Sequence, residues 1–470
     1  MTKTIPDNAV LAAWQRTLAL RQDAAAIRAN DGRIVRSFSD IEAEAKGRLG
    51  LLAGLPQGSV VGVQIGNSAS WPALVLALFR AGLVPLPLGR HMDQAELDLA
   101  LATCGASALI TTDGEQLTLT GDRLADSAPA WDTPVPDFLK LTFGIGSAPR
   151  AIRFRAEQLA ADCENICNAM GLTDADLNFG VIPFSHSYGF SNLVLPLLCW
   201  GVPLVASDDR MPRAILGDLA RTGATVFPGM PVFFHKFAEM GNLPELPALR
   251  LCISAGALLT RDVAARFTAR CGQKIHNFYG ASECGGIAYD AAAATECEEG
   301  FLGEPIAGVE VTRSGVDPGL IEVRGAAVGD GYFPVPDAAS LAQGRFIPTD
   351  LIRWNGRGMI ITGRISDVIN VAGRKLNPSE VEQRLLEFRG VRQAVVFGVP
   401  SALRGEEPVA CVVPEGGTDA AQVLRFCHAA LSPWQVPKSI WLVPVIPLDA
   451  QGNVSRRALA DRFRSKQRDA

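Results

Sequence analysis

SVVGVQI (Ser59–Ile65), SWPALVLALFRA (Ser70–Ala81) and LVPLPL (Leu83–Leu88) follow one another early in the chain, and their order sets the fold class. A short continuous apolar run reads as a strand buried on both faces, a longer one as a helix, and the third run as the next strand. ASALIT (Ala106–Thr111) adds another strand after a helix ending near Thr103. This alternation predicts a parallel sheet with helices on both faces. Farther along, the same rhythm predicts helices at 156–170, 191–200, 213–222 and 261–271 among strands at 179–183, 202–206, 224–227, 250–254 and 274–278. Near residue 300 the texture changes. Short strands at Val309–Arg313, Gly319–Arg324, Arg345–Pro348 and Met359–Thr362, separated by Gly, Pro and Asp, predict a small β-rich subdomain. After a linker at Arg364–Asp367, helices at Ser379–Phe388 and Ala420–Leu431 mix with strands at Arg392–Val399, Val409–Pro414 and Ile440–Val445. The expected class is α/β, with a large N-terminal domain of parallel-sheet subdomains over 1–364 and a small α+β domain over 365–470.

Composition excludes several function classes. With 470 residues, 48% of them hydrophobic and 20% charged, the chain has material for large buried cores. Its net charge is −5, and basic residues gather only around Arg456, Arg457, Arg462 and Arg464, which argues against a nucleic-acid partner. Ten cysteines without a CxxC pair make no disulfide scaffold; Cys163 and Cys167 read as buried small side chains on a helix. The five histidines are scattered, so no zinc site is expected. The apolar stretches at 71–89 and 190–205 are broken by Pro85, Pro87, Pro196 and Pro203, and the N-terminus lacks a signal-peptide pattern. Neither a membrane span nor a secretory leader is expected, and the reading is a reduced, cytoplasmic protein. No Gly-x-Ser-x-Gly elbow and no Gly-x-x-x-x-Gly-Lys-Ser/Thr loop occurs, which sets aside serine hydrolases of that type and P-loop NTPases.

Three segments carry chemistry. Asn277-Phe278-Tyr279-Gly280-Ala281-Ser282-Glu283 brings together a ring that can stack on a base, a backbone open to close approach and a carboxylate for a hard cation. Alone, it reads at least as well as a strand-end turn. Pro348-Thr349-Asp350-Leu351 ends a strand with a carboxylate whose two oxygens suit a ribose diol, or with an Asx turn before a hairpin at Asn355-Gly356. Gly363-Arg364-Ile365-Ser366-Asp367 continues through a strand and the Gly373-Arg374-Lys375 turn to a helix start at Pro378-Ser379-Glu380-Val381-Glu382.

In this order and spacing the three segments resemble those of the adenylate-forming superfamily of acyl-CoA synthetases, luciferases and peptide-synthetase adenylation domains. Ser254-Ala255-Gly256-Ala257-Leu258-Leu259, Gly303-Glu304-Pro305, and Val323-Arg324-Gly325 with Gly331-Tyr332 extend the resemblance from the Phe38 region to about Leu459. The resemblance implies an AMP-forming ligase. ATP with Mg²⁺ and a small carboxylic acid would give an acyl-adenylate, and the thiol of CoA, or of phosphopantetheine on a separate carrier protein, would take the acyl group. Tyr279 and the Gly256-Ala257 backbone would sandwich adenine, and Asn277 would meet its amino group. Asp350 would hold the ribose hydroxyls, Arg364 ribose or phosphate, and Glu283 the Mg²⁺, with Ser282 in place of the family threonine. Thr142, Gly144, Gly146, Ser147 and Arg150 fall on the phosphate loop. His186 would lie beside an acyl pocket walled by Phe190, Phe227, Gly229, Met230, Gly280 and Cys284; read alone, it is a polar residue at a strand end. Ser366 would be the hinge about which the small domain pivots, and Gly373, Arg374 and Lys375 would line the thiol channel. No aspartate near His186 is placed to pair with a substrate ammonium, so an uncharged acyl or aryl acid is expected. A homodimer is compatible with this reading.

Two positions depart from the family pattern. The phosphate loop, usually a Ser/Thr/Gly run closed by Pro-Lys, here reads Leu141-Thr142-Phe143-Gly144-Ile145-Gly146-Ser147-Ala148-Pro149-Arg150. Its backbone N–H groups can still cradle phosphate, but several hydroxyls are gone. The C-terminal lysine that would bond the substrate carboxylate and α-phosphate is replaced by Asn453. Losing such a donor commonly costs about 10²–10³-fold in rate. Both departures bear on the first half-reaction. Two further readings therefore stand beside the ligase: a homologue impaired in adenylation that passes a preformed acyl-adenylate to a thiol, and a non-catalytic acyl- or nucleotide-binding partner of another enzyme.

Overall fold

Strands Leu204–Ala206, Asn178–Gly180, Val226–Gly229, Leu251–Ser254 and Ile275–Ala281 lie side by side and parallel, in that order. This is seen in a computed structural model that describes residues 8–114, 116–121, 128–131, 134–142, 149–295, 298–371, 374–401, 404–448 and 454–468. Phe179, Leu204, Val226, Phe227, Cys252 and Ile253 are all but inaccessible to solvent. Burial on both faces is why these strands read as unbroken apolar runs instead of alternating ones.

The sheet is not purely parallel, as the strand–helix rhythm predicted. Ile34–Ser37 pairs antiparallel with Ala25–Ala29 at one edge, and Ile275–Ala281 turns back into antiparallel Gly285–Tyr289 and then Phe301–Pro305. A tight turn can join antiparallel neighbours, so no helix interrupts the sequence there to signal the pairing. A second sheet sets Val84–Pro87, Val60–Gln64 and Ala106–Asp113 parallel, with Gln116–Thr120 added as a hairpin. In a third, Phe138–Thr142 and Arg150–Phe154 form a hairpin joined by Gly331–Phe333. The predicted helix at 191–200 opens instead with a π-helical turn, Phe190–Val194, before regular α-helix over Leu195–Trp200. Wide turns of this kind are rare and occur often beside functional sites. Helices Ala9–Arg21 and Pro231–Glu239 were not legible in the sequence pattern; the strand expected after Asp367 is Ile369–Val371, but Arg374 and Lys375, expected in a turn, lie on a second strand, Arg374–Leu376, that pairs with it.

The chain divides into two compact units. The first comprises Met1–Thr312, Glu322–Pro348 and Gly356–Met359; the second comprises Arg313–Ile321, Thr349–Asn355 and Ile360–Ala470. In the second unit, Val391–Ser401 and Gly405–Pro414 form a long antiparallel ladder with Ser439–Leu442 added parallel. One face packs Val396, Ala410 and Val412 with Val381, Leu385 and Val423 of the helices Pro378–Leu386 and Ala420–Ala430. The other packs Phe397 and Cys411 with Leu459 and Phe463 of the helix Arg456–Arg468. The architecture is mixed α/β, a large sheet-based N-terminal part followed by a smaller α+β part. Among the described residues no helix is long and apolar enough to cross a membrane.

At the starting edge of the parallel strands one carboxylate gathers three of them. Asp176, just before Asn178–Gly180, accepts from Arg250 Nε at 2.7 Å and its terminal nitrogen at 2.6 Å, from the Thr225 hydroxyl at 2.8 Å and from the Thr173 amide at 2.9 Å. Thr225 and Arg250 immediately precede Val226–Gly229 and Leu251–Ser254. Burial alone would push the Asp176 carboxyl up, but Arg250, Thr173 and Thr225 outweigh it and hold it below the usual aspartate value. A carboxyl depressed in the folded state contributes stability above its unfolded pKa and loses it as pH falls through the folded value. Asp176→Asn should therefore cost about 2–4 kcal/mol at neutral pH. Denaturant titration should show the gap to wild type narrowing below about pH 4; a gap that does not change with pH would refute the ionic account.

Candidate functional site

Gly229, Ser254 and Asn277 stand in one register row across three adjacent parallel strands. The residues just beyond them therefore emerge together at the C-terminal ends of the strands, where open α/β sheets bind ligands. Met230 follows Gly229, and exposed Gly256 and Ala257 follow Ser254, with Gly256 at φ +83°, a conformation that favours glycine. Asn277 commits its amide NH₂ to the Phe301 carbonyl at 2.7 Å, so it offers a ligand its acceptor oxygen. Past it the register slips between Tyr279 and Gly280, a bulge that re-aims the end of the strand. Gly280 has no room for a side chain, since a Cβ there would lie 2.6 Å from the Gly285 carbonyl oxygen. Only 8% of Tyr279 is exposed, so a base stacking on it would meet a limited part of the ring.

Glu283 and His186 both keep solvent-accessible surface although protein crowds around them, as side chains lining a concavity do. Glu283 accepts from the Tyr332 hydroxyl at 2.9 Å, and its backbone carbonyl accepts from the Gly329 amide at 2.8 Å. Burial raises its carboxyl above the usual range, against the pull of Tyr332, Arg150 and Lys140. The Arg150 guanidinium stacks 3.8 Å from the centre of the Tyr332 ring. Thr142 and Arg150 pair directly across their hairpin, so both ends of the predicted phosphate loop are registered to each other. Gly144, Gly146 and Ser147 lie outside the described residues.

The Ser187 hydroxyl donates to the Ser282 hydroxyl at 2.9 Å, which ties the Glu283 turn to the His186 segment. His186 Nδ1 accepts from the Tyr188 amide at 3.2 Å. The neutral ring then carries its proton on Nε2, a donor. Burial, aided by the charge on Lys140, holds His186 below the usual histidine range, so it is neutral at pH 7.

The structure also reveals a residue that sequence reading passed over. Buried Asn67 donates to the carbonyls of Gly180 (2.9 Å), Ile182 (3.2 Å) and Ser207 (2.9 Å), and accepts from the Phe184 amide (2.9 Å). It fixes the loop that leads to His186. The available signal was its type and place: a polar residue between a buried strand and an apolar helix must find internal partners.

The predicted pocket wall splits in two. His186, Met230 and Gly280 present surface, whereas Phe190, Phe227, Gly229 and Cys284 are enclosed. Phe190 stacks on Phe138 with ring centres 4.3 Å apart, and Phe227 packs among Phe179, Phe233, Phe234 and Phe237. Large rings gain more from an aromatic core than from a solvated rim, and these stand behind the site, not on its surface.

Asp350 and Arg364 belong to the second unit, where Arg364 Nε donates to Asp350 Oδ1 at 2.8 Å. A Cβ on Gly363 would lie 2.6 Å from the side chain of Asn377. Asn377 caps the helix Pro378–Leu386 through the Ser379 amide and donates to the Thr362 carbonyl at 2.8 Å. That contact is a physical reason for the glycine before Arg364 and the Asn-Pro before the helix. Ile365–Asp367, including the backbone of Ser366, forms a 3₁₀ turn. Arg456 donates to Asp367 at 2.6 Å, to Glu382 at 2.9 Å and to the Val396 carbonyl at 3.0 Å. Its guanidinium is thus committed within the second unit. Arg374 stacks 5.5 Å from the Trp434 ring, and Lys375 lies on the strand Arg374–Leu376. Gly373 and Asn453 lie outside the described residues. Among those described, no group of three or more His, Cys, Asp or Glu is arranged to hold a metal by itself. A lone carboxylate such as Glu283 suits a magnesium ion that arrives already bound to phosphates.

A family model described as AMP-binding enzyme matches residues 15–143 and 144–333, and one described as AMP-binding enzyme C-terminal domain matches 380–453. Among curated relatives, a probable CoA ligase of Humulus lupulus is 27% identical over 463 residues, covering 88% of each chain. The feruloyl-CoA synthase of an Amycolatopsis species is 28% identical over 444 residues, covering 87% of this chain and 90% of the relative. Among solved structures, ATP-bound MatB from Rhodopseudomonas palustris shares the fold with a TM-score of 0.84 at 24% identity, covering 96% of this chain and 98% of that one. An anthranilate CoA ligase in complex with anthranoyl-AMP does so at 0.80 and 19%, covering 98% and 99%. With its strand-end rim in place and both models matched along its length, the chain belongs to the AMP-binding enzyme family.

Proposed function

We propose that this protein is an AMP-forming ligase that converts an uncharged acyl or aryl carboxylic acid to its acyl-adenylate and passes the acyl group to the thiol of CoA or of a carrier-bound phosphopantetheine. The observation that carries this reading is the shared rim on which Gly256, Asn277, Tyr279 and Glu283 emerge from aligned strand ends. Relatives named as CoA ligase and feruloyl-CoA synthase support the reaction class. In this reading Tyr279 and the Gly256-Ala257 backbone hold adenine, and the Asn277 oxygen accepts from its amino group. Asp350 takes the ribose diol, with Arg364 beside the ribose or phosphate. Thr142, the loop glycines and Arg150 receive the polyphosphate. Glu283, steadied by Tyr332, would help hold a Mg²⁺ ion that arrives on ATP, and that ion would supply charge neutralisation for the pyrophosphate leaving group. His186, neutral and carrying its proton on Nε2, serves as a hydrogen-bond donor beside the acyl group. Ser366 is the turning point of the small domain, and the Gly373-Arg374-Lys375 turn meets the thiol.

A second reading is favoured by the pairing of Arg456. Bound to Asp367 and Glu382, it is in no position to supply the charge that Asn453 lacks. On that reading the protein runs only the transfer from a preformed acyl-adenylate to a thiol.

Pyrophosphate exchange with a panel of aliphatic and aromatic acids separates the two. The ligase reading expects exchange with at least one acid and a fall of about 10²-fold in Asp350→Ala. Absent exchange together with thiol-dependent consumption of a supplied acyl-adenylate establishes the second reading. Absence of both leaves a binding protein. Asn453→Lys restores the missing charge and should raise exchange by about tenfold or more; an unchanged rate would place the block in the phosphate loop.

A further inference from the structure

Lys140 and Asp162 form a buried ion pair that none of the roles above employs. Lys140 lies two residues before Thr142, on the strand that opens the phosphate-loop hairpin, and each of the paired side chains is 3% exposed. Its ammonium is 3.8 Å from Asp162 Oδ2, 3.3 Å from the Ser191 hydroxyl and 4.5 Å from the centre of the Phe154 ring. Asp162, on the helix Ala156–Met170, accepts from the Ser191 hydroxyl at 2.6 Å and from the Gly286 amide at 3.0 Å. Ser191 lies in the π-helical turn that follows His186. Gly285, at φ +71°, presses so closely on Asp162 that a Cβ there would run into the carboxylate. One carboxylate thus joins the root of the phosphate-loop hairpin, the turn after Glu283 and the turn after His186.

Stability alone does not explain such a pair. Taking two charges out of water costs several kcal/mol per ion, and apolar residues of similar volume commonly do as well or better. What a hydrogen-bonded pair adds is direction: a fixed relation among the segments it touches. We propose that Lys140, Asp162 and Ser191 are positioning residues of the nucleotide site, which hold the phosphate-loop hairpin in register with the Glu283 turn. This rests on the ligase reading. The loop carries Phe143 and Ile145 where hydroxyls would otherwise meet phosphate. Thr142 and Arg150, paired across the hairpin, flank that loop, so where its two ends stand depends on how the hairpin root is held.

The test uses Lys140→Met, Asp162→Asn, the double variant and Ser191→Ala in the full-length protein. Each single change at the pair strands a buried partner and lowers the unfolding midpoint; the double variant removes both charges and recovers most of that loss. Calorimetric titration with MgATP is the decisive reading. The well-folded double variant should bind MgATP about tenfold more weakly than wild type, and in pyrophosphate exchange its KM for ATP should rise while KM for the acid holds. Ser191→Ala, which leaves the ion pair in place, should weaken MgATP in the same direction with a smaller effect on the midpoint. Wild-type affinity in the double variant, or in Ser191→Ala should the double variant not fold, overturns the proposal. A wild-type protein that binds no MgATP overturns the ligase reading and this proposal together, and needs no substitution to be recognised.

Discussion

The contact of Asp176 with Arg250, completed by Thr225 and the Thr173 amide, ties the starts of three parallel strands to one another. Parallel strands run from that clasp with a common register, and everything at their far ends inherits it. Gly229 and Ser254 stand in one row at the far ends of two of these strands, Asn277 continues the row on the next strand, and the candidate rim is the step beyond it. The clasp and the candidate site therefore share a sheet but occupy opposite edges. A strongly bonded, low-exposure carboxylate sits at one edge, and glycines and small residues that leave the backbone open to close approach sit at the other.

Around the rim, polar groups are held in place by partners instead of by solvent. Asn67 satisfies four backbone groups and so fixes the loop before His186. The Tyr188 amide selects the tautomer of His186, and Tyr332 steadies Glu283. Such arrangements suit a site in which charge must be met by groups already aimed at it, because reorganising them during a reaction would itself cost free energy. Gly280 and Gly285 belong to the same logic. Neither has space for a Cβ, and both lie beside Glu283, where the strand must bend to deliver the carboxylate.

In the second unit the long basic and acidic motif resolves into separate physical tasks. Gly363 makes room for Asn377, which caps a helix and holds the Thr362 carbonyl. Asp367 and Glu382 share Arg456, which fastens the 3₁₀ turn at 365–367 to the start of the last helix. Arg364, which is exposed, is paired at its Nε with Asp350.

The apolar runs from Ser59 to Leu88 and their successors to residue 278 determined by themselves that strands and helices alternate, since burial on two faces writes itself locally as composition and length. The three chemical motifs were legible only as an ordered set that resembles a family's, since each taken alone reads at least as well as an ordinary turn. Pairings between residues far apart in the chain were decided only by the tertiary structure. It turned the sheet antiparallel after Ile275–Ala281 and widened the helix at Phe190–Val194. It also drew Phe190 and Phe227 into the aromatic core, behind the surface they were expected to line, and set Lys140 against Asp162. A side chain's period reports which face it occupies, but what waits on that face is chosen by segments closing over it from elsewhere in the sequence.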